Sequence, residues 1–440
     1  MNKTSLVLVW LLLSSLTHLF GQKYYMDKPE GYGAATTGGG NATPVTVSTY
    51  NALKSALTAS GPGVILVSGT IDFTSAGMMK IVVKDKTLLG LPGATFTNTN
   101  QSVSGILYLN TGSSNVIIRN LKFVGPGAWD NNGNDNLTVK PATNLWVDHC
   151  EFQDGEDGNF DNSGATDNVT VSWCKFTYLK ATRAAGSGTA NDHRFSDLIG
   201  GDKSDAPSDG HYSITWQNCW WSNGCKERMP RARNAELHML NCYWNTDISG
   251  SLAIGIGGGD NNSTCYVENS NFAKVSTVFK DYSSSDGGSV KVTFSNCLNA
   301  VSNIGSAVPK PSYSTSSFPA SNVETAVTDP NCGAGATLQV TSQGVISSKC
   351  ITTGLASPDM ATSSATIYPN PSFGTFIVKG RENIKSISIV DSAGDVVYFQ
   401  NNIQGGNEMQ IAANLVQALY FVKLEYVSGV TEMVKLVGTR

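Results

Sequence analysis

The sequence predicts an all-β protein in which a long parallel β-helix is followed by a small antiparallel β-sandwich. Three observations support this fold class: a nine-residue phrase recurs seven times, helical periodicity is almost absent, and the composition changes after residue 351. Charged residues make up only 15% of the chain, whereas Gly, Ser, Thr and Asn are abundant. That balance is typical of extended structure with many turns.

The nine-residue phrase alternates apolar and polar side chains, which is the period of a half-buried strand. Positions two and four are apolar in all seven copies, position six is asparagine in five, and position seven is cysteine in five. Successive copies begin 23 to 45 residues apart, as expected for a solenoid with one phrase per coil. We expect the asparagines to form a ladder at a turn, with each side chain bonding the next coil, and the cysteines to act as small buried hydrophobes. The copies are Asn115–Phe123, Asn144–Phe152, Asn168–Phe176, Ser213–Trp221, Glu236–Trp244, Thr264–Phe272 and Lys291–Asn299.

The beginning of the chain has the pattern of a secretion signal. Lys3 precedes an apolar run from Leu6 to Leu13 and a short polar stretch that ends near Gly21. Because the run is too short to span a bilayer, we predict that residues 1–21 are a signal peptide. The mature protein is then expected outside the cytoplasm, secreted or at the cell surface. The net charge of −4 is spread without long runs, which argues against nucleic-acid binding.

Changes in composition predict the domain organisation. Residues 22–351 are expected to form the solenoid, with a short helix within Val47–Ala59 that caps its open end. An insertion at about Lys180–Gly210 separates the third and fourth phrases, and such insertions often carry binding residues. A linker of small residues, 352–365, leads to a β-sandwich at 366–440.

The remaining cysteines and the histidines allow fewer inferences. Cys332 and Cys350 lie outside the repeat and are candidates for a disulfide, while the state of Cys225 and Cys265 stays open. His149 occupies the asparagine column of the repeat, so we expect a structural ring, hydrogen-bonded and stacked inside the turn. No partner at metal-ligand spacing accompanies three other histidines, which are expected on the surface or in loops: His193, His211 and His238.

Two phrases within the solenoid are not explained by packing. Asp157-Gly158-Asn159-Phe160-Asp161 places two carboxylates four residues apart on one side of a strand, and carboxylate oxygens suit a hard cation such as calcium. Arg228-Met229-Pro230-Arg231-Ala232-Arg233 carries three arginines, whose planar guanidinium groups bind carboxylates in a bidentate way. An acidic cluster beside a basic one predicts an anionic substrate held through a bridging cation. A uronic-acid polymer fits that description.

Taken together, the motifs of the solenoid resemble polysaccharide lyase family one, the pectate lyases. The resemblance extends over about Gly31–Ala336 and implies a right-handed parallel β-helix. The motifs that carry it are Gly31-Tyr32-Gly33-Ala34, Asn115-Val116-Ile117-Ile118-Arg119-Asn120-Leu121, Trp146-Val147-Asp148-His149, Asp157-Gly158-x-x-Asp161, Leu198-Ile199-Gly200 and Arg228-x-Pro230-Arg231-x-Arg233.

The resemblance also implies an activity and a catalytic site. The activity is calcium-dependent cleavage of α-1,4-linked polygalacturonate by β-elimination, which leaves a 4,5-unsaturated sugar. The implied Ca²⁺ ligands are Asp135, which stands eleven residues before Trp146, together with Asp157 and Asp161. Arg228 is the implied catalytic base.

The same resemblance suggests residues that bind the substrate. Arg233 is expected to bind a substrate carboxylate, and Arg231 to make a structural or secondary contact. The family usually has a substrate-binding lysine shortly before its Leu-Ile-Gly phrase. Here the insertion separates Lys180 from Leu198, so Lys180 and Arg194 are both candidates for that role.

The C-terminal region resembles the sorting domain of proteins exported by the type IX secretion system. The matching segments are Tyr368-Pro369-Asn370-Pro371, the Asp391–Gly394 turn, Ala418-Leu419-Tyr420 and a basic final strand with Lys435 and Arg440. The expected partners are therefore an acidic polysaccharide and the type IX secretion machinery. A monomer without a membrane span is expected.

Three alternative functions remain open from the sequence. A pectin lyase would act on methyl-esterified polymer without calcium, but the presence of Asp135, Asp157 and Asp161 favours pectate as the substrate. A non-catalytic polysaccharide-binding β-helix is disfavoured by the intact arginine phrase. A hydrolase on a similar solenoid would need paired carboxylates without that phrase.

Overall fold

The computed structural model describes residues 26–129, 133–183, 192–346, 365–380, 382–391, 396–401, 403, 406–428 and 431–439. Contacts divide the described chain into two units, one within Phe20–Thr353 and one within Gly354–Arg440. The signal peptide predicted at 1–21, most of the predicted linker, residues 392–394 of the predicted turn and Arg440 lie outside the described residues. Cys350 does as well, so its pairing with Cys332 stays a prediction.

The first unit is a right-handed parallel β-helix, as the sequence predicts. Its helices are two 3₁₀ segments, Gly31–Ala35 and Ala320–Asn322, and α1 (Tyr50–Thr58), α2 (Ser283–Asp286) and α3 (Val323–Val327). Its strands are β1 (Val45–Val47), β2 (Gly63–Val67), β3 (Thr70–Asp72), β4 (Met79–Ile81), β5 (Lys84–Gly90), β6 (Thr95–Thr97), β7 (Leu107–Arg119), β8 (Lys122–Val124), β9 (Leu137–Asp148), β10 (Glu151–Gln153), β11 (Phe160–Asn162), β12 (Asp167–Ser172), β13 (Lys175–Thr177), β14 (Leu198–Ile199), β15 (Tyr212–Gln217), β16 (Trp220–Trp221), β17 (Arg231–Ala232), β18 (Ala235–Leu240), β19 (Tyr243–Asn245), β20 (Leu252–Ile256), β21 (Ser263–Glu268), β22 (Asn271–Lys274), β23 (Thr277–Asp281) and β24 (Val290–Ser295).

The strands form a 16-stranded sheet that forks and a separate 8-stranded sheet. The fork lies at the long strand β9, which pairs in parallel with β11 near its start and with β12 near its end. One branch continues in the order β11, β14, β17, β20 and β23, and the other continues through β12, β15, β18, β21 and β24. The 8-stranded sheet closes each coil on its third side. The first branch is the face that positions the candidate site.

Each copy of the nine-residue phrase crosses a corner between two sheets. The residue at position six has a φ between 47° and 59° in all seven copies, which is the left-handed region. Asparagine adopts this conformation more readily than other non-glycine residues, so the corner accounts for the asparagine column. The corner also accommodates His149 and Trp173, whose rings stack with centroids 5.6 Å apart.

Two asparagine side chains of the column bond a neighbouring coil, as the sequence predicts. The Nδ2 group of Asn120 donates to the Gly90 carbonyl at 2.9 Å, and that of Asn241 donates to the Asn269 carbonyl at 3.0 Å. Both amides therefore bond the main chain of a neighbouring coil, and the partner of Asn241 is the next asparagine of the column. Each also bonds the segment that follows β24, through the carbonyls of Leu338 and Phe318.

Stacked apolar columns fill the interior of the solenoid. The five cysteines of the repeat are thiols, four of them buried and the fifth partly buried, which confirms that they act as small hydrophobes. Cys225 and Cys265 are buried thiols as well. An aromatic ladder runs beside them, with neighbouring ring centroids 4.2 to 5.4 Å apart. Its members are Phe73, Phe96, Phe123, Phe152, Phe176, Trp221, Trp244 and Phe272.

The predicted capping helix is present as α1, within the expected Val47–Ala59. The hydroxyl of Thr49 accepts the Ala52 N–H at 3.3 Å and satisfies one free donor at the start of the helix. Leu53 and Leu57 are buried and belong to the core of the solenoid. The helix thus covers apolar side chains that the first coil would otherwise expose.

The prediction that His238 lies on the surface or in a loop is wrong. The residue is fully buried in β18, where Nε2 contacts Glu268 Oε1 at 3.0 Å and Nδ1 contacts the Tyr313 hydroxyl at 2.8 Å. Tyr313 belongs to the segment after β24, which packs along the solenoid. Because the segment that covers His238 is distant in sequence, the residues around His238 do not indicate that it is buried.

The second unit consists of two antiparallel sheets. The strands are β25 (Thr366–Tyr368), β26 (Thr375–Lys379), β27 (Ile384–Asp391), β28 (Val396–Gln400), β29 (Glu408–Ala412), β30 (Leu419–Tyr426) and β31 (Thr431–Val437). One sheet has the order β25-β26-β29 and the other β28-β27-β30-β31, and their inward side chains form one apolar core. No helix in the part of the chain that the structure describes has the length and apolar character needed to span a membrane.

Candidate active site

The site is built on loops that enter neighbouring parallel strands of one face. Strand β11 pairs with β9 and β14, and β14 pairs in turn with β17. Because these strands are parallel, the residues just before them meet at one edge of the sheet. The loops bring together Asp135 before β9, Asp157 before β11, His193 and Phe195 before β14, and Arg228 before β17.

Asp135, Asp157 and Asp161, called here the carboxylate cluster, lie close together. Each offers a carboxylate oxygen, and these oxygens lie within 4.8 Å of one another. Asp161 is on β11, whereas Asp157 is on the turn before it, so the two converge through the bend rather than along a straight strand.

Each carboxylate of the cluster is oriented by one neighbouring group. Asp135 Oδ2 accepts the Thr138 hydroxyl at 2.8 Å, and Asp161 Oδ1 accepts the Leu198 N–H at 2.9 Å. The Nε2 atom of His193 lies 2.6 Å from Asp157 Oδ1. Asp135 Oδ1 is buried and has no hydrogen-bond partner among the described residues. The cluster thus keeps acceptor capacity for a further ligand.

Burial and mutual repulsion make it costly for these carboxylates to be ionised together. Burial raises the pKa of Asp135 well above its usual value, and the charges of Asp161 and Asp157 raise it further. Burial also raises the pKa of Asp161 to about 7, where Arg228 opposes the rise and Asp157 adds to it. A bound divalent cation would remove this repulsion, and a set of carboxylate oxygens is what Ca²⁺ prefers. The residues present therefore fit a calcium ion.

The arginine phrase lines an open cleft of about 320 Å³ beside the cluster. This arginine cleft is bordered by Phe195, Leu198, Gly201, Glu227, Arg228, Arg231, Arg233, Leu252, Gly255 and Tyr282. Arg228 has a φ of 56°, and its guanidinium lies 4.9 Å from the centre of the Phe195 ring. Its Nη1 is buried and has no hydrogen-bond partner among the described residues.

The other two arginines share one carboxylate that sequence reasoning missed. Asp286, in α2, accepts a hydrogen bond from Arg231 Nη2 and lies 3.1 Å from Arg233 Nε. Burial alone would raise the pKa of Asp286. The hydrogen bond and charge of Arg231, together with Arg233, outweigh burial and lower that pKa. Arg231 also lies 3.9 Å above the Tyr282 ring, and Arg233 donates to the Gly200 carbonyl at 2.9 Å.

Lys180 and Arg194, the two candidates for the substrate-binding lysine role, are not among the residues that border the arginine cleft. Lys180 is exposed, and its Nζ donates to the Gly125 carbonyl at 2.5 Å. Arg194 forms a bidentate pair with Asp192, with N–O distances of 2.6 and 2.7 Å. The choice between them stays a prediction.

The structure separates the roles of the histidines. His149 is buried, its Nδ1 lies 2.9 Å from Asp148 Oδ2, and its ring stacks on Trp173, which confirms the predicted structural role. His193 lies in the loop before β14, which confirms the predicted loop position, although its side chain is only 6% exposed. Its contact with Asp157 was missed because Asp157 lies on another coil.

A comparison with protein-family models identifies the solenoid. The model described as pectate lyase matches residues 16–337, which is more than half of the chain. The chain belongs to the pectate lyase family. The expected family resemblance and the fold that it implies are therefore confirmed. A second model, described as a secretion system C-terminal sorting domain, matches residues 366–437.

Individual members of the pectate lyase family are similar over different lengths. The pectate trisaccharide-lyase of Thermotoga maritima is 34% identical over 237 residues, which cover 51% of this chain and 57% of that protein. The pectate trisaccharide-lyase of Bacillus licheniformis is 29% identical over 314 residues, which cover 68% of this chain and 83% of that protein. This chain thus spans little more than half the length of the Thermotoga relative.

The fold is also that of solved pectate lyases. A Bacillus subtilis pectate lyase superposes with a TM-score of 0.55 at 21% identity, covering 72% of this chain and 99% of the other. At this identity the likeness shows the fold alone.

Proposed function

We propose that the protein is a calcium-dependent pectate lyase that cleaves α-1,4-linked polygalacturonate by β-elimination and releases 4,5-unsaturated oligogalacturonides. The observation that carries this proposal is the carboxylate cluster beside Arg228 at the edge of one cleft. The family supplies the reaction class, and two similar proteins are named pectate trisaccharide-lyases.

Asp135, Asp157 and Asp161 are the proposed calcium ligands. The buried Oδ1 of Asp135, for which the described part of the chain offers no hydrogen-bond partner, and the raised pKa of Asp161 both support a cation at this position. When bound, calcium would neutralise a substrate carboxylate and so acidify the neighbouring C5–H group. Thr138, His193 and the Leu198 N–H keep the three carboxylates turned toward one another.

Arg228 is the proposed base. Its main chain is anchored, since its carbonyl accepts the Asp197 N–H at 2.7 Å, while its buried Nη1 is not engaged by another described residue. In its neutral form, Arg228 would take the C5 proton. A double bond between C4 and C5 would form as the bond between C4 and the glycosidic oxygen breaks, and the departing oxygen would take a proton from water. Because a guanidinium normally holds its proton, turnover should increase toward alkaline pH.

The rest of the cleft is proposed to hold the polyanion. Arg231 and Arg233 share the single charge of Asp286, so a net positive charge remains on this wall for uronate carboxylates. Arg233 is the proposed carboxylate contact, with Arg231 in support. Lys180 or Arg194 would contribute a further cation from the insertion.

The alternative functions are less well supported by the same geometry. A lyase that acts on methyl-esterified pectin without calcium has no need for three converging carboxylates. A non-catalytic binding solenoid has no need for a buried guanidinium nitrogen beside them that no other described residue engages.

We further propose an extracellular location. The C-terminal match to a sorting domain supports export, with residues 1–21 as the signal peptide, residues 22–351 as the catalytic solenoid, 352–365 as the linker and 366–440 as the domain that engages the type IX secretion machinery. A monomer is expected, and its substrate is the acidic polysaccharide.

The test is turnover by the purified full chain on polygalacturonate and on highly methyl-esterified pectin, each with calcium or with a chelator. Ultraviolet-absorbing unsaturated ends should form from polygalacturonate only when calcium is present. Equal rates with the chelator would contradict the calcium site, preference for esterified pectin would favour the pectin lyase alternative, and no product from either polymer would exclude a lyase.

A further inference from the structure

Two aromatic rings connect the carboxylate cluster to Arg228. The imidazole of His193 lies 2.6 Å from Asp157 through Nε2, and its ring centroid is 4.2 Å from that of Phe195. On the next coil, the guanidinium of Arg228 lies 4.9 Å from the centre of the same phenyl ring. A continuous line of contacts therefore runs from a proposed metal ligand to the proposed base.

The backbone of Phe195 is held on both sides. Its N–H donates to the His193 carbonyl at 2.8 Å, and its own carbonyl accepts the hydroxyl of the buried Tyr178 at 2.5 Å. A parallel bridge also pairs Phe195 with Glu227, the residue before Arg228. The ring borders the arginine cleft. The main-chain contacts of Phe195 set the position of this ring relative to Arg228.

The three cleft arginines are held in two different ways. Arg231 and Arg233 are tied to Asp286 by salt bridges, which occupy part of their donors. No salt bridge within 4.0 Å is found for Arg228 among the described residues, and its described side-chain contact is the face of Phe195. A ring attracts a guanidinium over its face without using any N–H group, so the donors stay available.

We propose that Phe195 is a positioning residue that holds the Arg228 guanidinium beside the carboxylate cluster while leaving its nitrogen atoms free for the substrate. This inference rests on the proposed function. It also gives a role to one of the apolar side chains that border the arginine cleft. Loss of the ring would let the guanidinium sample other rotamers, which lowers the fraction of bound substrate that meets a correctly placed base.

The test compares Phe195→Leu, Phe195→Tyr and Phe195→Lys with the wild-type full chain on polygalacturonate at saturating calcium. Phe195→Leu should lower kcat about tenfold while KM and the calcium Kd change less than about twofold. Phe195→Tyr keeps the ring face and should recover most of that loss. Phe195→Lys should be at least as impaired as the leucine variant, because repulsion from Arg228 replaces attraction.

Trp220→Leu is the matched control. Lys175 lies 5.1 Å from the centre of the Trp220 ring in the 8-stranded sheet, so this change removes the same kind of contact away from the cleft. Its kcat should equal that of the wild type. Thermal melts check folding, and Phe195→Met replaces Phe195→Leu if the latter does not fold.

The outcomes separate this inference from the function on which it rests. A wild-type chain that forms no unsaturated product overturns both. With an active wild type, an unchanged kcat in Phe195→Leu, or a lysine variant as active as the wild type, overturns the positioning role alone. A tenfold increase in KM with an unchanged kcat also contradicts it, since that result indicates a substrate contact.

Discussion

The Oδ1 atom of Asp135 lies 2.7 Å from the point that a Cβ on Gly158 would occupy. The same point is 3.1 Å from Asp161 Oδ1, so the missing side chain of this glycine leaves room where the carboxylates converge. Gly158 has no positive φ that would require glycine. Space for the carboxylates and their proposed cation is therefore the reason for glycine here.

The first prediction concerns this space. Gly158→Ala should weaken calcium binding by about tenfold or more, because the methyl group would push Asp135 and Asp161 apart. Isothermal titration with calcium measures the effect. Gly63→Ala is the control, since its added Cβ meets the flexible side chain of Lys86, and its calcium affinity should match that of the wild type. An unchanged calcium affinity in Gly158→Ala would show that Gly158 does not provide the space for the calcium site.

The second prediction concerns the proposed base. Arg228→Ala should lower kcat by about two to four orders of magnitude, because no group remains to take the C5 proton. Calcium affinity should not fall, since Arg228 is not a ligand and its positive charge opposes a nearby cation. Single-turnover rates together with calcium titration measure both. Wild-type-like turnover in this variant would exclude Arg228 from the mechanism.

The third prediction concerns the carboxylate shared by two arginines. Asp286→Ala should raise KM for polygalacturonate and lower the free energy of unfolding by about 2 kcal/mol, because Arg231 and Arg233 lose their common acceptor. Glu151→Gln is the control: its bridges to Lys122 and Lys175 lie on the 8-stranded sheet and should contribute less than about 1 kcal/mol. Urea unfolding and steady-state kinetics give the comparison.

The pH dependence of that stabilisation has a definite sign. Since the pKa of Asp286 is lower in the folded protein than in the unfolded chain, its contribution is complete above the ordinary carboxyl pKa, near 4. It is lost as the pH falls through the lower folded value. The difference in stability between the wild type and Asp286→Ala should therefore shrink only in strong acid, and a difference that vanishes at neutral pH would contradict this assignment.

The fourth prediction concerns Asp197, a fully buried carboxyl at the residue before β14. Burial raises its pKa well above the usual value, although the Trp221 indole donates to its Oδ2 at 2.7 Å and opposes the rise. The folded state therefore binds this proton more tightly than the unfolded chain, so stability falls as the pH rises from about 4 toward the folded pKa. Asp197→Asn should be more stable than the wild type at pH 8 and lose that advantage near pH 4.

Urea unfolding at a series of pH values, with a chelator present, measures the effect of Asp197→Asn. The chelator keeps any bound cation from adding its own pH dependence. A variant that is less stable than the wild type at every pH would show that the ionised carboxylate is accommodated in the core.

Much of the solenoid was predictable because its signals are local. The apolar alternation of the phrase follows from the strand period, and the copies fall in register, as Val171 does between Val147 and Trp216. The asparagine column and the bonding of its side chains to neighbouring coils were predictable from the sequence. The left-handed corner conformation, which also favours asparagine, was not.

The candidate site was predictable only where its residues belong to short phrases. The acidic and arginine phrases are visible as strings, and the family resemblance added Asp135. The partners of these residues were not predictable: Asp286 meets Arg231 from 55 positions away, and His193 meets Asp157 from the neighbouring coil.

From the order of its residues alone, this chain is recognisable as a β-solenoid with an acidic phrase, a basic phrase and a separate C-terminal domain. Strand periodicity and repeated turns depend on residues that are close together in sequence, so they can be identified without a structure. Tertiary structure alone determined that Phe195 lies beneath Arg228, that His193 meets Asp157 and that one aspartate serves two arginines. Those contacts cross from coil to coil, so they depend on loop lengths and on the register of stacked strands. No short stretch of sequence contains that information.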